Sequence, residues 1–131
     1  MKKMGITVLS VIFLMTSLVY AADKEKIAVA AEGKSGAAKV SGVAARSPYF
    51  LIFDGDGKLL EAVENPYKTA KGGAGTSVVP FLAQKGITMV VAGEFGKNMI
   101  DAMKGKGMKY LEFKGSAEEA LKKFMQAKKQ I

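Results

Sequence analysis

Two glycine-rich turns, Gly72-Gly73-Ala74-Gly75-Thr76-Ser77 and Gly93-Glu94-Phe95-Gly96-Lys97-Asn98, hold the residue types best suited to grip a ligand in this sequence. Each runs into a segment with helical spacing. Glycines let a backbone turn its amides inward, and a helix start adds partial positive charge, so such a turn can cradle an anion. Thr76 and Ser77 add hydroxyls to the first turn, and Lys97 adds a full charge to the second. The first turn fits neither the G-x-G-x-x-G nor the P-loop fingerprint. Gly75 has no glycine three residues on, and no Gly-Lys-Ser/Thr follows. An ordinary loop without a ligand is the competing reading of each turn. Two of them near one end of a sheet make a stronger case than either alone, because ligands of open α/β sheets gather at the carboxyl ends of strands.

Absent residue types exclude most catalytic chemistry. The chain has no Cys, no His and no Trp. It therefore has no disulfide, no thiolate ligand, no imidazole base and no Cys- or His-based triad. Asp54 and Asp56 resemble the start of a calcium loop, but the later ligands and the closing Glu are missing. A two-metal centre from Asp54, Glu94 and Asp101 lacks convergent carboxylates, since Asp54 suits a turn and Asp101 a helix. Met99 and Met103, four residues apart, offer sulfur to copper(I) only if they leave a helix's inward face, and core packing is the stronger reading. No catalytic residue and no metal ligand is assigned, and the protein is not expected to be an enzyme.

Net charge is +8 over 131 residues, and +8 falls to +6 when Lys2 and Lys3 are removed. Such a field favours anionic partners. The basic residues are spread out, however, so a solubilising surface explains them equally simply. Nucleic acid is not expected as a partner, because no aromatic-and-basic surface motif is present.

Residues 1–22 read as a signal peptide. Lys2 and Lys3 precede an apolar run from Ile6 to Val19, and Val19-Tyr20-Ala21 supplies small residues at a cleavage site. The run is shorter than the roughly 20 residues a membrane span needs. A mature domain over 23–131, periplasmic or secreted and without a stable membrane anchor after cleavage, is the expectation.

The elements that must position these turns follow from periodicity. Lys26–Ala31 is a short apolar strand. Gly33–Ser47 is a long loop too poor in large apolar residues to make a core element. Tyr49–Phe53 and Lys58–Glu64 form a hairpin around Asp54-Gly55-Asp56-Gly57, stopped by Asn65-Pro66. Thr76–Gln84 is helical, with Pro80 tolerable only in its first turn. Thr88–Ala92 is a buried strand, Lys97–Lys104 a helix, and Met108–Phe113 the last strand. Ser116-Ala117-Glu118-Glu119 is a capping box opening a helix that buries Ala117, Ala120, Leu121, Phe124 and Met125, with Lys128 and Lys129 at its negative end. The order β-β-β-α-β-α-β-α implies a mixed sheet covered by helices.

Arg46-Ser47-Pro48-Tyr49-Phe50, the strand before it, the Gly-rich turn after it, and the spacing Gly93, Gly96 and Gly105/Gly107 resemble the dinitrogenase iron–molybdenum cofactor biosynthesis family. The likeness covers nearly all of 23–131. It implies a ribonuclease H-like α/β three-layer sandwich with a mixed five-stranded sheet, and non-catalytic binding of the cofactor, its precursors or related molybdenum–sulfur clusters. Small orange-protein relatives hold a molybdenum–copper sulfide cluster without covalent links. Val43, Ala44 and Ala45 stand where the family often has His-Phe-Gly, so a coordinating imidazole is replaced. What remains is outer-sphere capture by Ser41, Arg46, Gly72, Gly73, Gly75, Thr76, Ser77, Gly93, Gly96 and Lys97. The expected guest is a non-covalently held molybdenum/iron–sulfur-type cluster or an oxyanion. The alternative is a structural module that kept the fold and lost the cofactor, partnered by another exported protein or by itself. Export also sits apart from nitrogenase maturation, which is cytoplasmic.

Overall fold

In the computed structural model, which describes residues 25–129, the apolar run Lys26–Ala31 forms β1, the central strand. Ile27 to Ala31 are buried on both faces, which is why the run is continuously apolar rather than alternating. β2 (Tyr49–Asp54) pairs antiparallel with β1, and β3 (Leu59–Glu64) pairs antiparallel with β2. A helix, α1 (Ala74–Gln84), returns the chain to β4 (Met89–Ala92), parallel to β1. α2 (Lys97–Gly105) leads to β5 (Lys109–Glu112), parallel to β4, and α3 (Ala117–Lys129) follows. The open sheet has the order β3-β2-β1-β4-β5. This is the mixed, ribonuclease H-like sandwich expected from the resemblance.

Alternation along the strands divides the core into two layers. Ala28, Ala30, Phe50, Ile52, Val90 and Ala92 face α1 and α2, meeting Val78, Val79, Leu82, Met99 and Met103. Ile27, Val29, Leu51, Phe53 and Val91 face α3, meeting Ala117, Ala120 and Leu121. Met99 and Met103 are thus core packing, as their helical spacing indicated. The edge strands β3 and β5 carry Glu61, Glu64, Lys109 and Glu112 exposed, charges that discourage edge-to-edge pairing.

Local chemistry matches local geometry at the turns. An Asp54 Oδ1 accepts from the amides of Asp56 and Lys58, both at 2.9 Å, closing the β2–β3 hairpin. The capping box forms in both directions: the Ser116 hydroxyl accepts from the Glu119 amide at 3.1 Å, and Glu119 accepts from the Ser116 amide at 2.9 Å. Among the described residues no helix is long and apolar enough to cross a membrane. The expected signal peptide, residues 1–22, lies outside the described residues, as do the side chains of Lys128 and Lys129.

Two sequence expectations are corrected. α1 begins at Ala74, so Pro80 lies in the helix interior and not in its first turn. The helix accepts it because Pro80 is exposed while Val78, Val79 and Leu82 are buried; their packing offsets a lost backbone bond. The 33–47 loop does contribute to the core. Val40 joins the α3-side layer and Ala44 the α1/α2-side layer.

Candidate functional site

β1, β4 and β5 end together, and the chain crosses that end of the sheet as a strap. The Ser41 amide donates to the Ala30 carbonyl at 2.7 Å, and the Gly93 amide donates to the Ser41 carbonyl at 2.8 Å. Val40 bridges to Ala31, and Val43 bridges to Glu94. Residues 40–44 therefore run over the tops of β1 and β4, from the α3 side to the α1/α2 side. Backbone contact here needs small residues. A Cβ on Gly93 would lie 2.9 Å from the Gly42 Cα and 3.2 Å from the Ser41 carbonyl oxygen.

On the α1/α2 side the strap becomes a single 3-10 turn, Ala44–Arg46, that packs on α1. Arg46 is exposed, and its guanidinium donates to the Ala70 carbonyl. This holds the cation beside the first glycine turn with further N–H groups to spare. Asn65 fixes the two loops to each other. It is buried, its Nδ2 donates to the carbonyls of Ala45 and Ser47 at 2.9 Å each, and its Oδ1 accepts from the Tyr67 amide at 2.9 Å. Sequence reasoning read Asn65 only as the end of a hairpin. An Asn-Pro pair after a strand was the available signal, but its long-range partners were not visible.

Both glycine turns lie at this same end. Gly73 is the N-cap of α1 and has a left-handed backbone (φ 68°), and Gly96 is the N-cap of α2. Neither helix has a side chain capping its start. The Ser77 amide bonds the Gly73 carbonyl, and the Ile100 amide bonds the Gly96 carbonyl. The amides of Ala74, Gly75 and Thr76, and those of Lys97, Asn98 and Met99, precede the first intrahelical bond and are left for an outside acceptor. The two starts touch. A Cβ on Gly75 would lie 3.0 Å from the Met99 Cβ and 3.2 Å from the Met99 amide nitrogen. Each helix start is equivalent to roughly half a positive charge, so two adjacent starts beside Arg46 and Lys97 make one electropositive rim.

The sequence-predicted residues divide within that rim. Arg46, Gly72, Gly73, Thr76, Gly96 and Lys97 are exposed on it. The Thr76 hydroxyl donates to the Gly73 carbonyl at 2.9 Å and stabilises the turn. Ser77 is half-buried one residue further into α1. Ser41 is buried, with its hydroxyl turned to the Val43 carbonyl at 3.5 Å, so it serves the strap. Gly75 and Gly93 act through close packing. Among the described residues no group of three or more acidic side chains assembles into a metal site.

These features have recognisable relatives. Residues 25–127 match the model of the dinitrogenase iron-molybdenum cofactor family. The chain belongs to that family. Its fold is shared by the apo form of the orange protein from Desulfovibrio gigas, at 25% identity and a TM-score of 0.73, over 79% of this chain and 88% of that one. A Thermotoga protein assigned to NifB aligns at 34% identity and a TM-score of 0.67, over 78% of this chain and 88% of that one. A protein assigned as a dinitrogenase from Methanocaldococcus jannaschii, at 13% identity and a TM-score of 0.51, covers 79% of this chain and 90% of that one and shows the fold alone. No curated protein sequence matches significantly. This family member has the family's sandwich, with Val43, 51% exposed, standing on the strap beside the rim.

Proposed function

We propose that this protein is an exported, non-catalytic carrier that holds an anionic metal–sulfur cluster of the molybdenum/iron type, or an oxyanion, as cargo on the rim. One observation carries the reading: two uncapped helix starts meet at Gly75 and Met99, beside Arg46 and Lys97. Amide N–H groups and guanidinium or ammonium donors bond the outer sulfur or oxygen atoms of an anion without replacing them. That suits a chain with no Cys and no His, which has no thiolate or imidazole to offer a metal. Membership of an iron-molybdenum cofactor family and likeness to a protein solved in an apo form support the cargo class. Export rests on the leader-like residues 1–22.

Anaerobic titration with tetrathiomolybdate, followed by visible absorption after desalting, tests the reading. A retained chromophore with a raised melting temperature is expected. Absence of both removes the carrier function. In that event the exposed Val43 favours the second reading, an interaction module that kept the fold, and capture of a stable partner from periplasmic extract or self-assembly would support it.

A further inference from the structure

The strap separates the rim from a second concavity. Val40 packs in the α3-side layer and Ala44 in the α1/α2-side layer, so residues on the Val40 side of the crossing face away from the two helix starts. There a cleft of about 590 Å³ opens, within the range of small-molecule sites. Its walls come from three separated stretches that the fold brings to one place: Lys39 and Gly42 on the strap, Gly93 and Glu94 after β4, and Phe113 and Lys114 after β5. The Val40 amide bonds the Gly115 carbonyl at 2.8 Å and Lys39 bridges to Ser116, which hold the first and third walls together.

We infer that this cleft is a binding site for a small organic anion with a flat apolar part, an aryl phosphate or aryl carboxylate. Lys39 and Lys114 are exposed on its lips and form no ion pair among the described residues. Phe113 is half-buried and offers a ring. The Lys123 ammonium lies 5.7 Å from the centre of that ring. Glu94 is the single acid among the lining residues. Two lysines against one glutamate select a negative guest, and the ring selects one with a planar face. Gly42, where a Cβ would meet nothing within 4 Å, lets that face approach the backbone. The two sites share the strap crossing, but the cleft stands whether or not the rim carries a cluster.

Amide NMR titration of the full domain with phenyl phosphate tests this. Saturable shifts are expected at Gly42, Gly93, Phe113 and Gly115, with none at Gly73 or Gly96. Inorganic phosphate is expected to bind more weakly, because it lacks the ring. The double variant Lys39→Gln/Lys114→Gln, at two exposed side chains, is expected to keep the spectrum of the fold and weaken phenyl phosphate about tenfold or more. Absence of saturable shifts overturns the inference, as do shifts confined to the α1 and α2 starts, or affinity unchanged in the double variant.

Discussion

Gly93 stands against Gly42 so closely that a methyl group on Gly93 would come 2.9 Å from the Gly42 Cα, while a methyl group on Gly42 itself would meet nothing within 4 Å. The contact is one-sided because the strap passes over the end of β4 with its backbone, and the free direction at Gly42 points outward. This crossing carries the chain from one core layer to the other, so its tightness governs both sites.

The asymmetry is testable. Gly93→Ala is expected to cost about 1–3 kcal/mol through overpacking, and Gly42→Ala to change stability by no more than about 0.5 kcal/mol. Urea denaturation of the two variants measures the difference. Equal effects would mean that the strap does not close on β4 in solution.

Asn65 gives a larger and more local effect. Asn65→Ala leaves the buried carbonyl of Ser47 and the half-buried carbonyl of Ala45 without this donor, a loss of about 3 kcal/mol. Because Ala45 adjoins Arg46, thiomolybdate retention should fall along with the melting temperature.

At the rim, Arg46→Gln and Lys97→Gln are each expected to weaken tetrathiomolybdate binding about fivefold. Both side chains are exposed, so unfolding free energy should move by no more than about 1 kcal/mol. Gly75→Ala separates the two helix starts at Met99 and should weaken binding as well. Gly105→Ala, at the other end of α2 with nothing within 4 Å, serves as its control. Unchanged binding in all three would detach the cargo from this end of the sheet.

The capping box makes stability depend on acid pH. The amide and hydroxyl of Ser116, aided by Lys122, hold the Glu119 carboxyl below its ordinary value of 4.5. A lowered folded-state value means that this contribution is complete above about pH 4.5 and is lost as pH falls through the lowered value. Ser116→Ala should cost about 1 kcal/mol at pH 7 and less at pH 3. Glu119→Gln should flatten the acid limb, which chemical denaturation across pH 3–7 would reveal.

Much of this architecture was legible from residue order, because it depends on short-range chemistry. Continuous apolar runs marked β2 and β4, alternation marked β5, helical spacing placed Met99 and Met103 inward, and Ser116 with Glu119 announced a helix start. Asp54 declared its turn. The rim was half legible: glycine turns before helices marked the two helix starts that folding brings together, while the resemblance added Ser41, whose hydroxyl turns back to the strap. Tertiary structure decided the rest. Only folding brings Gly75 against Met99, buries Asn65 among carbonyls 18 and 20 positions away, and joins Lys39 to Lys114 across one cleft. Pro80 shows the same division, since its backbone preference argued against a helix interior that buried neighbours could still sustain. Local preference is a property of a few adjacent residues, whereas a site is a set of distances between remote ones, and those distances exist only once the two core layers have closed on the sheet.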